Sequence, residues 1–263
     1  MARYPRRKNV RKSVARKPRK SYYKPKKNFV KSVKKIIRSQ IENKVVSQYA
    51  ANQLIDYATI SRAATFINLT PTPTQGVSVQ QRIGNSIRVV KGRIHGCVNV
   101  RPYDATFNPQ PCPIMIKMWL CRRKQTNIQQ TGLPTLADFN NFFQSGSTST
   151  GFQANVLDTI LRNNNDVWSV YASKSVTLQN SFYSGATAPT TAIIGSAYKV
   201  SAPFSFNFTK HLGVCKYNDN VTYPQNKELF LVFQNVYADG SGSVSALQLA
   251  EVHYNIEWEF EDA

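Results

Sequence analysis

Apolar residues recur along this chain with two different periods. Over 29–46 they return every three or four positions, as Val30, Val33, Ile37, Ile41 and Val45, which lines one side of an α-helix. From about residue 59 the period falls to two. Phe204, Phe206 and Phe208 alternate with Ser205, Asn207 and Thr209, and Ile114, Ile116, Met118 and Leu120 share one side of 113–121. Val90, Gly92, Ile94, Gly96, Val98 and Val100 line one face of another run, with Arg93, His95, Asn99 and Arg101 opposite. Near the far end, Val252, Tyr254, Ile256, Trp258 and Phe260 point one way, while Glu251, His253, Glu257, Glu259 and Glu261 point the other. Alternation of this kind predicts half-buried strands. ELFLVFQNV at 228–236 is apolar on both faces and predicts a central strand.

Strands are expected near 59–69, 86–101, 112–124, 166–180, 199–210, 228–237 and 247–261. A kink near Ser173 would divide 166–180 in two and bring the number to eight. One short helix is expected from Pro134 to Phe143, with Thr135 as its N-cap. The uncharged stretches 139–157 and 175–198 are rich in Ser, Thr, Gly, Asn and Ala. They are too polar for a core and too long for hairpins, so they are expected as surface loops. Many strands joined by long connections predict an all-β fold, an eight-stranded jelly-roll sandwich.

Charge changes the picture of the first residues. The 263-residue chain has 34 Lys and Arg against 14 Asp and Glu, a net charge of +20. Seventeen of the cations lie in 1–38, and the first acidic residue is Glu42, so the remainder is close to neutral. Pro5, Pro18 and Pro25 oppose helix, and self-repulsion opposes collapse, so 1–28 is expected to be disordered until bound. The expected organisation is an arm over 1–46, its second part (29–46) a basic amphipathic helix, and a sandwich over 47–263. A basic amphipathic helix could lie on a membrane, but its continuity with the tract before it favours nucleic acid. The expected phosphate-binding cations are Arg3, Arg6, Arg7, Lys8, Arg11, Lys12, Arg16, Lys17, Arg19, Lys20, Lys24, Lys26, Lys27, Lys31, Lys34, Lys35 and Arg38. Tyr22 and Tyr23, with Tyr4, can stack on bases. Lys and Arg on a flexible chain contact phosphates and do not read base edges, so binding should be salt-sensitive and sequence-independent.

The remaining chemistry is sparse. Cys97, Cys112, Cys121 and Cys215 have no CxxC spacing and read as buried thiols of a reducing compartment. No apolar run reaches the length of a membrane span, and the basic start lacks the apolar core of a secretory signal. The sequons at Asn68, Asn207 and Asn220 are then expected to be chance matches. The only histidines are His95, His211 and His253, and no GxSxG, P-loop or HExxH motif occurs, so neither an enzyme nor a cofactor is expected. His211 lies four residues before Cys215, but a Cys–His dyad is a spatial arrangement, not a local one. Glu257, Glu259 and Glu261, beside Asp262, could hold calcium or form a solvated, salt-bridged strand face; the second is favoured, and no metal is expected.

Several short stretches, in order, carry a family likeness. VKSVKKIIRSQIENK at 30–44 looks like the arm helix of satellite virus coats. QQRIGNSIRVVKGRIHG at 80–96 is similar to their Arg-x-Gly turn, matched by Arg82 and Gly84, feeding the next strand. VWSVYASKSVTL at 167–178 looks like a long strand with a central Lys, here Lys174, and YNIEWEFEDA at 254–263 resembles their last strand. The chain resembles the coat (capsid) proteins of small icosahedral viruses, above all circular single-stranded DNA viruses that encode a replication initiator (circovirus-like), and also satellite RNA virus coats.

The resemblance implies a closed homo-oligomer of about sixty subunits in a virion, with arms inward on a single-stranded genome. The length and the Tyr/Arg/Lys-rich start favour DNA over RNA. It implies that the arm also engages host nuclear import receptors, placing the chain in the host nucleus during assembly. Sixty arms would neutralise on the order of a thousand phosphates. Arg82, Arg88, Lys91, Arg93 and Arg101 would either line the shell interior beside the genome or pair with the carboxyl-terminal Glu row. The alternative to a coat is a non-viral single-stranded nucleic-acid-binding β-sandwich with a basic tail.

Overall fold

Strands that are apolar on alternate positions bury that face only when two sheets close on one another. A computed structural model of the chain describes residues 29, 31–33, 43–55, 65–78, 80–101, 108–109, 112–124, 133–179, 199–240 and 248–262. The chain divides into two units, Met1–Glu42 and Asn43–Ala263. In the first, residues 29 and 31–33 are helical, with Phe29 and Val33 exposed.

The described residues of the second unit form twelve strands: β1 (Lys44–Ile55), β2 (Thr65–Asn68), β3 (Ser86–Val100), β4 (Pro113–Arg123), β5 (Phe143–Ser145), β6 (Thr148–Thr150), β7 (Arg162–Asn163), β8 (Trp168–Gln179), β9 (Ser201–Asn207), β10 (Val214–Lys216), β11 (Phe230–Tyr237) and β12 (Ala250–Asp262). One antiparallel sheet runs β1-β12-β3, with β9 and β10 pairing successive parts of β3. The other runs β2-β11-β4-β8. Numbering only the eight principal strands, β1, β2, β3, β4, β8, β9, β11 and β12, the orders are first-eighth-third-sixth and second-seventh-fourth-fifth. Successive strands therefore alternate between sheets except for the fourth and fifth, which pair as neighbours, and this is the jelly-roll order. The all-β fold expected from the sequence is the one observed.

The main core lies between the sheets. Ile94, Val98, Phe204, Ile256 and Trp258 of one meet Ile116, Leu120, Leu231 and Phe233 of the other. Phe204 and Phe233 touch edge to face across the gap at 5.9 Å between ring centroids, an arrangement favoured by the ring quadrupoles.

All eight residues of β11 are buried because the second sheet is covered on its other face as well. There Trp119, Cys121, Phe230 and Val232 meet Phe139, Phe142, Phe143, Phe152 and Trp168. This corrects the expectation that 139–157 is a polar surface loop. The stretch forms β5 and β6 of the small β6-β5-β7 sheet and supplies four phenylalanines to a second core. Phe139, Phe142 and Phe143 share a helical spacing, but Phe152 stands apart, and the spacing alone does not announce a second core. The expected 134–143 helix is a single turn, Leu136–Phe139.

Three further expectations are corrected. Lys44–Val46 belong to β1 and not to a helix; Val45 satisfies the helical spacing but faces solvent, while Val46 packs on the core. The eighth principal strand is β1, and β8 is continuous, with a bulge at Tyr171 in place of the kink at Ser173. Val90 is exposed instead of sharing a face with Gly92. Between Glu259 and Phe260 the register with β3 slips by one residue, leaving Val90 as the extra residue of a bulge. The strand face inverts there, so Ile87 and Val89 enter the core. The stretches 56–64, 180–198 and 241–247 lie outside the described residues.

Candidate nucleic-acid interface

The arm cations and Tyr22 and Tyr23 lie outside the described residues, except Lys31, which is helical and exposed. The second basic stretch is fully placed, and it divides into three environments.

Arg82 is completely buried. Its Nη1 donates to the Gly84 carbonyl (2.6 Å) and to Asn85 Oδ1 (3.2 Å). Its Nη2 donates to the carbonyls of Asn218 (3.0 Å) and Val221 (2.9 Å). The guanidinium fork, with donors in one plane, ties the turn before β3 to the 218–221 turn. As a shell-lining cation, Arg82 is therefore corrected: it is a structural anchor, and Lys in its place could not reach four acceptors.

Arg88, Lys91 and Arg93 stand on the outward face of β3 and meet the Glu row of β12. Arg93 Nε donates to Glu257 at 2.7 Å, Lys91 Nζ to Glu259 at 2.7 Å, and Arg88 approaches Glu261 at 3.7 Å. Lys44 extends the row to Asp262 at 2.8 Å. The hydrogen bond and charge of Arg93 hold the Glu257 carboxyl below the usual carboxylate range. The Val90 bulge matters to this ladder. Without it Glu261 would oppose Val89; with it, Glu261 opposes Arg88. Of the two roles left open for these cations, geometry gives pairing with the Glu row. Among the described residues no group of three or more His, Cys, Asp or Glu is arranged to hold a metal ion.

Arg101, the last of the stretch, donates to Gln248 Oε1 at 3.1 Å at the end of the sheet.

His211 and Cys215 form no dyad. The His211 ring stacks on Tyr171, with centroids 3.8 Å apart. The Cys215 thiol is buried in the core, where desolvation pushes it up to about 12. None of the four cysteines is in a disulfide, and Cys97 and Cys112 are half-buried, more open than the sequence led us to expect.

The grouping that sequence spacing missed joins Arg122 of β4, Tyr171 of β8 and His211 of the Thr209–Leu212 turn of helix. Arg122 stands 5.9 Å from the Tyr171 ring centroid. Three separate elements supply these residues, so no linear motif marks them. Among the described residues no helix is long and apolar enough to cross a membrane.

No family model matches the chain, and no curated protein does. Among solved structures, the chain is similar to that of Mud crab tombus-like virus, at 7% identity and a TM-score of 0.37, covering 88% of this chain and 98% of that one. It is also similar to a chain of Desmodium yellow mottle tymovirus, at 9% identity and a TM-score of 0.29, covering 98% of this chain and 93% of that one.

Proposed function

We propose that this chain is a viral coat protein that assembles into a closed icosahedral shell and packages single-stranded nucleic acid, DNA ahead of RNA, through its basic arm. The observation that carries the proposal is the joining of an acid-free, 17-cation arm to a jelly roll whose own basic strand is already paired with glutamates. The body is close to electrically balanced, so the excess positive charge sits in 1–38, where it acts on a polyanion without reading its sequence. About sixty copies build the shell, and the same arm serves nuclear import, so the chain works in the host nucleus and in the virion. A non-viral strand-binding sandwich would present aromatic rings on an open sheet face, whereas Phe204, Phe206, Phe208, Trp258 and Phe260 are buried.

Size-exclusion chromatography and negative-stain microscopy of the full chain test the assembly. Closed particles are expected, and a monomer at every salt and protein concentration would refute the proposal. Deleting 1–38 should leave the sandwich folded and empty of nucleic acid. Digestion of the packaged material with DNase against RNase distinguishes the genome class.

A further inference from the structure

Beyond the arm, the folded body carries a cationic cleft that the ladder does not neutralise. Arg122 and Arg123 at the end of β4 face Asn226, Lys227 and Glu228 across a cleft of about 170 Å³. Its one carboxylate is already engaged: Glu228 is gripped by Arg123 Nη2 at 2.8 Å and Nε at 3.1 Å, and Arg123 also holds Asp138 at 2.9 Å. Among the described residues, Arg122 and Lys227 are in no ion pair of the kind that ties down the β3 cations. The Arg122 Nε is buried and has no hydrogen-bond partner among the described residues, while the Arg122 side chain lines the cleft beside Lys227. Asn226 fixes the far wall by bonding the backbone of Val214 and Lys216.

The surroundings repeat the sign. The Tyr171–His211 stack flanks Arg122, and Lys210 precedes His211. Burial first, then the charges of Arg122 and Lys210, hold His211 below its ordinary value, as expected beside an uncompensated positive field. Tyr171 stands there because it is the bulged residue of β8, opposite Leu120 and Cys121; bulges commonly re-aim a side chain toward a working surface.

We propose that the Arg122–Lys227 cleft binds a backbone phosphate of the packaged strand, a second contact with the genome made by the jelly roll itself. This rests on the nucleic-acid-packaging function proposed above and adds a fixed seat to the diffuse arm. The planar Arg122 fork and the Lys227 point charge suit a phosphodiester, and the adjacent Tyr171–His211 pair lies where a neighbouring nucleotide would pass.

Ultraviolet crosslinking of the full chain to oligothymidylate, with the crosslinked peptides identified by mass spectrometry, tests this. Crosslinks are expected in the arm and also at Tyr171 or His211. In Arg122→Gln and in Lys227→Gln, the latter a partly exposed position that leaves the core untouched, the Tyr171/His211 crosslinks should fall about fivefold while those in the arm persist. Arm crosslinks alone, or body crosslinks unchanged in both variants, would overturn the cleft and leave the packaging function standing. No crosslink anywhere would overturn both. Displacement of the body crosslinks by inorganic phosphate at the same phosphate concentration as the oligonucleotide would assign the cleft to a free anion and overturn the phosphodiester assignment.

Discussion

The Arg82 guanidinium lies 4.7 Å from the centroid of the Tyr217 ring, and the two side chains keep 0% and 4% of their surface in solvent. A full charge is thus stored inside the domain with an aromatic face and four oxygen acceptors around it. Tyr217 in turn donates its hydroxyl to the Pro71 carbonyl at 3.0 Å, so the pair links three turns. Replacing Arg82 by Leu removes every donor and leaves four part-buried acceptors without their partner, at a cost of about 3 kcal/mol. Urea unfolding should show that loss, and Arg82→Lys should recover little of it. A loss below about 1 kcal/mol would mean that water reaches the carbonyls.

Gly92 is a position where only glycine fits. A Cβ there would stand 2.5 Å from the Phe208 ring, and Phe208 is fully buried. The backbone cannot back away, because Gly92 accepts from the Phe208 N–H at 3.0 Å and donates to Thr209 Oγ1 at 2.9 Å. Gly92→Ala should lower stability by about 1–3 kcal/mol. Adding Phe208→Leu should restore part of the melting temperature; if the double variant is worse by the full sum of the two, the clash is not the cause.

Asp158 introduces a pH dependence. It is buried against Gln234, whose Nε2 donates to Oδ2 at 2.5 Å, while its Oδ1 and Gln234 Oε1 have no partner among the described residues. Burial raises its carboxyl above the ordinary value, against the opposing pull of its hydrogen bonds. A folded value above the unfolded one means that protonation favours the fold. That contribution is complete below the ordinary carboxylate range and is lost as pH rises through the raised value. Asp158→Asn, whose amide can donate to Gln234 Oε1, should therefore gain on the wild type as pH moves from 4 to 7. Equal denaturation midpoints for the pair at both pH values would contradict this.

The second core makes its own prediction. The Phe142 ring is 4.8 Å from Phe152, 5.0 Å from Phe143 and 5.1 Å from Trp168, centroid to centroid. Phe142→Ala should cost about 3–5 kcal/mol. Because these rings lie outside the two-sheet core, limited proteolysis should cut within 133–163 before it cuts β3 or β12. Simultaneous loss of all fragments would show one cooperative unit.

The parts legible in the sequence are those where burial is one-sided. The Phe204/Phe206/Phe208 alternation and the Trp258 face of β12 follow directly from a strand lying on a core, and both are observed. β1 was hidden because it is an edge strand whose side chains are mostly exposed or half-buried, so its alternation is faint and Val45 continued the helical spacing by accident. The Val90 bulge was invisible because one extra residue leaves composition unchanged and only moves the faces past one another. The ladder was half legible: the Glu row and the basic run could each be seen, but their register could not. The Arg122 cleft, built from distant elements, left no trace at all.

β1 pairs with β12, so that Ala50 lies opposite Tyr254. On a ribosome adding roughly 5–20 residues per second, β1 waits on the order of ten seconds or longer for its partner to exist. Its sheet therefore closes only after β12 has been made. Throughout synthesis the hydrogen-bonding edge of β1 is open to any neighbouring nascent chain, a hazard that grows with crowded translation. A truncated product lacking β12 should accumulate as aggregate and not as a smaller folded body, because such a fold tolerates no early stop.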